Sequence, residues 1–123
     1  MLTFQETSRA ASQLSVETQQ RFRDLLVLES QARSAQYAEH EAAARQLRDL
    51  TDADSVLERE LAEAGAQRAR EALAEIADAL DRMDRGTFGQ CTACGRPVPV
   101  ERLDAIPSAR FCVDCPGRRT GWR

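Results

Sequence analysis

Cys91-Thr92-Ala93-Cys94 and Cys112-Val113-Asp114-Cys115 are separated by 17 residues and contain all four cysteines of the chain. Each C-x2-C pair can curl around a metal ion, and two such pairs complete a tetrahedral thiolate shell with no position left for water. Gly95 suits a tight turn after the second cysteine, and Arg96-Pro97-Val98-Pro99-Val100 is short, extended and punctuated by proline. The competing chemistry for these side chains is a pair of disulfides or a set of redox thiols. The chain opens Met1-Leu2-Thr3-Phe4-Gln5-Glu6, without the basic and apolar stretches of a secretory signal. A cytoplasmic, reducing setting is therefore expected, and with it one structural zinc ion.

Upstream of the cysteines the pattern is helical. Residues 3–50 contain neither proline nor glycine and are rich in Ala, Gln, Glu, Arg and Leu, all good helix formers. Apolar residues recur at three- and four-residue spacing through Phe4, Ala11, Leu14, Phe22, Leu25, Leu28, Ala32 and Ala35, and again at Ala43, Leu47 and Leu50. Thr3-x-x-Glu6 and Ser12 or Ser15 are rival start signals. Thr51-Asp52-Ala53-Asp54-Ser55 interrupts the periodicity with residues that favour caps and turns. Ser55-x-x-Glu58 reads as a capping box opening a second helix from about Asp54 to Arg85. Its stripe is Ala62, Ala66, Ala69, Leu73, Ile76, Leu80 and Met83, and Gly86 is the stop.

Two long helices joined by so short a turn are antiparallel neighbours. The expected fold is mainly α: a long antiparallel two-helix coiled-coil hairpin followed by a small four-cysteine zinc finger. The expected division is a helical segment and hairpin over 1–85, turning near 50–55, a finger over 86–117 and a basic tail over 118–123. At 1.5 Å per residue the second helix is about 45 Å long. A hairpin this thin has little core of its own, so a metal staple answers a real need.

Composition narrows the function classes. Residues 1–90 hold 17 acids and 11 arginines, and residues 91–123 hold 3 acids and 6 arginines. Four thiolates and Zn2+ together carry −2, which leaves the metallated finger nearly neutral. An acidic hairpin and a near-neutral finger argue against sequence-specific DNA binding, which needs cationic surface to displace counterions. No apolar run is long enough to span a membrane. No Ser/His/Asp set, Gly-rich phosphate loop or open metal position is present, so an enzyme is not expected.

The run Cys91-x2-Cys94-x3-Val98-x3-Arg102-x4-Pro107-x4-Cys112-x2-Cys115 resembles the zinc-finger signature of the DksA/TraR family. Gly86-Thr87-Phe88-Gly89-Gln90 is similar to the family's approach to the first cysteine, and the helical hairpin ahead of it fits the family architecture. Departures are Thr92, where an acidic residue or Ser is usual, and Val98 for Ile. The resemblance implies a monomeric factor that binds RNA polymerase directly, with the hairpin tip in the secondary channel and acidic tip residues near the catalytic magnesium.

The family's tip pattern is Asp-x-x-Asp-x-Ala, and Asp49-Leu50-Thr51-Asp52-Ala53-Asp54 matches both aspartates and replaces the alanine with Asp54. The tip candidates are thus Asp49, Asp52 and Asp54, each of which could equally serve as a helix cap or turn residue. Some family members help bind the alarmone guanosine tetraphosphate through basic residues flanking the finger. Those positions here are Ile106 and Pro116, so no matching alarmone site is expected. Arg118, Arg119 and Arg123 are expected in a short solvated tail, the alternative being contact with an acidic partner surface or phosphate, and Trp122 is either exposed or a small docking contact. His40 is expected on the surface or in the helix seam, and Arg59 on a solvated face with Glu58, Glu60 and Glu63. The alternative function is a zinc-stapled coiled-coil adaptor for another protein partner.

Overall fold

A computed structural model describes residues 14–115. Ser15 opens the first helix, its Oγ accepting the Thr18 backbone N–H at 3.0 Å, as an N-cap does. From there α1 runs over Val16–Gln46. Ser15, one of the rival starts, thus caps this helix; Thr3, Phe4, Ala11 and Ser12 lie outside the described residues. Beyond Gln46 the chain tightens. The Arg48 N–H bonds the Arg45 carbonyl and the Leu50 N–H bonds the Leu47 carbonyl, both at 3.2 Å, the i→i+3 pattern of a 3₁₀ turn.

The second helix, α2, covers Ala53–Arg85. Its cap is Asp52, whose Oδ2 accepts the Ser55 N–H at 3.0 Å. This corrects the expected capping box. Ser55 is the third residue of the helix, and its side chain is turned inward (9% exposed). The other end closes at Gly86, with φ +80°. The Gly86 N–H bonds the Met83 carbonyl at 3.1 Å and the Thr87 N–H bonds the Arg82 carbonyl at 2.8 Å. That pair of bonds is a Schellman motif, which needs a left-handed residue and so favours glycine. A short helix, α3, spans Val100–Ala105. Among the described residues there is no strand, only an isolated antiparallel bridge between Gln90 and Pro97. Among the described residues no helix is long and apolar enough to cross a membrane.

The chain divides into two compact units, Met1–Leu26 with Asp78–Arg123, and Val27–Ala77. In the first, the core is Phe22, Leu26, Ala79, Met83, Phe88, Val98 and Leu103, all buried. The Phe22 and Phe88 rings lie 5.9 Å apart at 51°, a tilted aromatic pair. Ion pairs Arg21–Asp104 at 3.1 Å and Arg23–Asp84 at 3.0 Å run along its surface. Arg82 is 5% exposed; its Nε donates to Asp78 at 3.0 Å and its Nη2 to the Ser108 carbonyl at 3.4 Å. The end of α2 is thereby tied to the segment leading to the last two cysteines.

In the second unit the helices run antiparallel, and α2 presents the expected stripe: Ala62, Ala66, Ala69 and Ile76 are buried and Leu73 half-buried. The face of α1 differs from expectation. Leu28 (61% exposed), Ala32 and Ala35 point outward, as does Leu25 in the first unit. The inward positions are Phe22 and Leu26, then Arg33, Tyr37, His40, Ala44 and Leu47, the last five half-buried. Leu25-Leu26-Val27-Leu28 offers an apolar residue in every register, so α1 alone does not define its seam; the small residues of α2 do. Opposite Gly65 lies the His40 ring, and a Cβ on Gly65 would come within 2.6 Å of its Cε1. His40 is therefore a seam residue, and Gly65 is the hole that receives it.

Phe22→Ala should cost about 3–5 kcal/mol of stability in urea denaturation, because it empties a site closed on all sides. Gly65→Ala adds about 1 kcal/mol of helix propensity but collides with His40, so it should destabilise the chain. In a His40→Ala background the same change should stabilise it by about that amount; the same sign in both backgrounds would contradict the pairing. Hydrogen bonds from Ser55, its side chain first and its backbone N–H second, hold the Asp52 carboxyl below its ordinary value of 3.8. A depressed folded-state pKa means that the stabilisation is complete above the unfolded value and is lost as pH falls through the folded one. A carboxyl-carbon NMR titration should find Asp52 still ionised below pH 3.8, and Asp52→Ala should flatten the acid limb of stability.

Candidate metal centre and acidic turn

Gly89–Val98 folds back on itself to present the first cysteine pair. The Cys91 N–H bonds the Arg96 carbonyl at 2.7 Å and the Val98 N–H bonds the Gly89 carbonyl at 2.8 Å. Between them the Gly95 N–H reaches the Cys91 carbonyl at 2.9 Å, with Gly95 at φ +79°. The second pair closes in a similar small turn, the Cys115 N–H on the Cys112 carbonyl at 3.3 Å, and the Thr92 N–H joins the two turns through the Arg110 carbonyl at 2.9 Å. Arg102 holds the approach to Cys112, its Nε donating to the Phe111 carbonyl at 3.0 Å. Arg96 and Asp114 pair across the outside at 3.1 Å.

The four sulfur atoms converge. Cys91 and Cys115 Sγ are 3.7 Å apart, Cys94 and Cys112 3.6 Å, and Cys112 and Cys115 3.7 Å. All four lie within 4.8 Å of one another. A tetrahedral ion with metal–sulfur bonds near 2.3 Å requires sulfur–sulfur edges of about 3.8 Å, so these edges match. They are far longer than a disulfide bond of about 2.05 Å, so the four sulfurs are not joined as disulfides.

Electrostatics points the same way. Burial works against a Cys91 thiolate, but N–H groups of Cys112, Ala93 and Cys94 outweigh it and hold that thiol at about 6. Burial, with the neighbouring thiols, pushes Cys115 up to about 12, and Cys94 is also raised. Without a cation the cluster resists full ionisation. A divalent ion at its centre removes that resistance, and its binding releases protons.

The aspartates singled out in the sequence lie elsewhere, Asp49 and Asp52 on the turn between α1 and α2 and Asp54 in the first turn of α2. Asp49, Asp52 and Asp54 are all exposed there. Asp52 is committed to capping α2. The side chains of Asp49 and Asp54 make no hydrogen bond or ion pair among the described residues. Ile106 is 52% exposed, while Pro116, Arg118, Arg119, Trp122 and Arg123 lie outside the described residues. Arg59 was expected on a solvated face but is half-buried, and its Nη1 donates to three carbonyls of the turn that follows α1. The signal for it was present: Arg59 continues the Ser55, Ala62, Ala66 spacing, on the seam side of α2.

Residues 86–121 match the family described as the prokaryotic dksA/traR C4-type zinc finger. Over 45 residues, 37% of this chain, the sequence is 47% identical to General stress protein 16O of Bacillus subtilis, covering 28% of it. Over 48 residues, 39% of this chain, it is 38% identical to the RNA polymerase-binding transcription factor DksA of Haemophilus influenzae, covering 33% of it. The matched region thus spans about a third of the length of these curated relatives. The fold match is broader. Transcription factor DksA2 from Pseudomonas aeruginosa superposes with a TM-score of 0.76 at 26% identity, over 94% of this chain and 96% of that one. Residues 86–121 are thus similar to the DksA/TraR-type C4 zinc finger, and the chain as a whole is similar in fold to transcription factor DksA2.

Proposed function

We propose that this chain is a non-enzymatic transcription regulator that binds RNA polymerase directly and inserts the α1–α2 turn into the secondary channel. The observation that carries the reading is the near full-length fold match to DksA2, joined to an exposed acidic turn at the position the mechanism requires. Asp49, Asp52 and Asp54 are the tip acids; Asp52 also caps α2, which leaves Asp49 and Asp54 free to face the partner. Cys91, Cys94, Cys112 and Cys115 hold one structural zinc ion, which fixes the finger and leaves no coordination position for chemistry. The functional division is the hairpin over 1–85, the finger over 86–117 and the tail over 118–123. The factor acts as a cytoplasmic monomer, without sequence-specific DNA contact and, with Ile106 in place of a basic residue, without the alarmone site of some relatives.

A second reading, a zinc-stapled adaptor for another protein, draws on Leu57 and Leu61, which are 57% and 62% exposed and share one face of α2.

Purified chain should bind core RNA polymerase and be displaced by an established secondary-channel protein; absence of binding or of competition would falsify the polymerase reading. Asp49→Asn with Asp54→Asn should retain polymerase affinity and lose the effect on transcription, whereas unchanged transcription would favour the adaptor. Metal analysis should give about one zinc per chain, and serine at any one cysteine should abolish stoichiometric retention. A chain that purifies with no zinc and two disulfides would overturn the centre.

A further inference from the structure

The turn between α1 and α2, residues 47–52, contains neither glycine nor asparagine. Many helices end on such a residue in the left-handed conformation, which lets backbone N–H groups satisfy the last carbonyls. Here the Leu47 N–H meets the Ala43 and Ala44 carbonyls and the Arg48 N–H meets that of Arg45, so it is the carbonyls of the turn itself that take a side-chain donor. Arg59 provides one from the second turn of α2. Its Nη1 lies 3.1 Å from the Leu47 carbonyl oxygen, 3.2 Å from that of Arg48 and 3.2 Å from that of Leu50. The guanidinium charge also faces the negative end of the α1 dipole. Two of the three carbonyls flank Asp49 on either side.

Asp52 and Asp49 are held by different means. The Asp52 carboxylate is oriented by its own bond to the Ser55 N–H. The Asp49 carboxylate makes no hydrogen bond or ion pair among the described residues, so only the path of its backbone sets where it projects. We infer that Arg59 is the positioning residue of the acidic turn, fixing the backbone on both sides of Asp49 and so the direction in which that carboxylate meets the polymerase. The inference rests on the polymerase reading above and adds to it a residue outside the tip pattern itself. The donor is one nitrogen serving several acceptors, so lysine, whose ammonium has three donors, is the conservative replacement.

Arg59→Met and Arg59→Lys test it with two independent readouts. Amide hydrogen exchange at Leu50, whose N–H bonds the Leu47 carbonyl, should accelerate about tenfold in Arg59→Met, the size expected for losing a charged hydrogen bond. Exchange at Ile76 and Ala79 and the zinc content should not move. In transcription with purified polymerase, Arg59→Met should bind with retained affinity, yet lose the effect to the same extent as Asp49→Asn. Combining the two should add nothing, and Arg59→Lys should restore the effect. Unchanged exchange at Leu50 would overturn the inference, and so would a wild-type transcriptional effect from a loosened turn. If the unsubstituted chain fails to bind polymerase, the functional reading and the role assigned to Asp49 fall together, while the exchange measurement still decides whether Arg59 holds the turn.

Discussion

In the unit Val27–Ala77 two helices, with no third layer among the described residues, can each bury a single stripe, and that constraint shapes the seam and the turn. A narrow seam supplies little hydrophobic free energy, because most side chains on both helices stay in water. α2 meets the limit with small residues: Ala62, Gly65, Ala66 and Ala69 let the backbones approach, and the buried area comes from closeness. The partner face on α1 is amphipathic. Tyr37 and His40 use their ring bodies for packing and leave a polar edge accessible, and Arg70 reaches the Tyr37 hydroxyl at 3.2 Å. Such a seam is specific in register and modest in stability.

Each unit therefore carries a separate closing device. In the unit with the finger, the Phe22–Phe88 ring pair and the buried Leu103 make an apolar centre, and the sulfur cluster ties together segments that have almost no regular structure. The cost of bringing four thiols within 4.8 Å is electrostatic, since four thiolates repel one another; a divalent cation converts that cost into a binding free energy. In the unit with the turn, closure is by polar groups alone. Asp52 satisfies the start of α2 and Arg59 satisfies the carbonyls of the turn that follows α1. A tight turn built from a carboxylate cap and a guanidinium clamp needs no glycine, and its outer surface remains acidic.

The legible and illegible parts of the sequence divide along this line. The cysteine spacing is covalent and local, so it disclosed the four-cysteine cluster and the similarity of this segment to the DksA/TraR zinc finger. The α2 stripe was legible because polar residues separate its apolar positions, which leaves one possible register. Gly86 and Ser15 were legible as backbone signals. The α1 seam was not, because Leu25, Leu26, Val27 and Leu28 satisfy several registers equally. The cap at Asp52 was mistaken for one at Ser55 because both residue types cap helices, and the choice depends on where the chain leaves α1.

By itself, then, the sequence determined the two long helices, the four-cysteine set and the acidic character of the turn, all of which follow from residue type and spacing, but not the short α3. Tertiary structure alone decided which face of α1 is inside, why Gly65 must lack a Cβ, and that Arg59 serves the carbonyls of the turn between the helices. These depend on contacts between residues distant in sequence, such as His40 with Gly65 and Arg59 with Leu47. Such pairs leave no periodic trace in a single sequence, because either partner would look ordinary at its own position on an isolated helix.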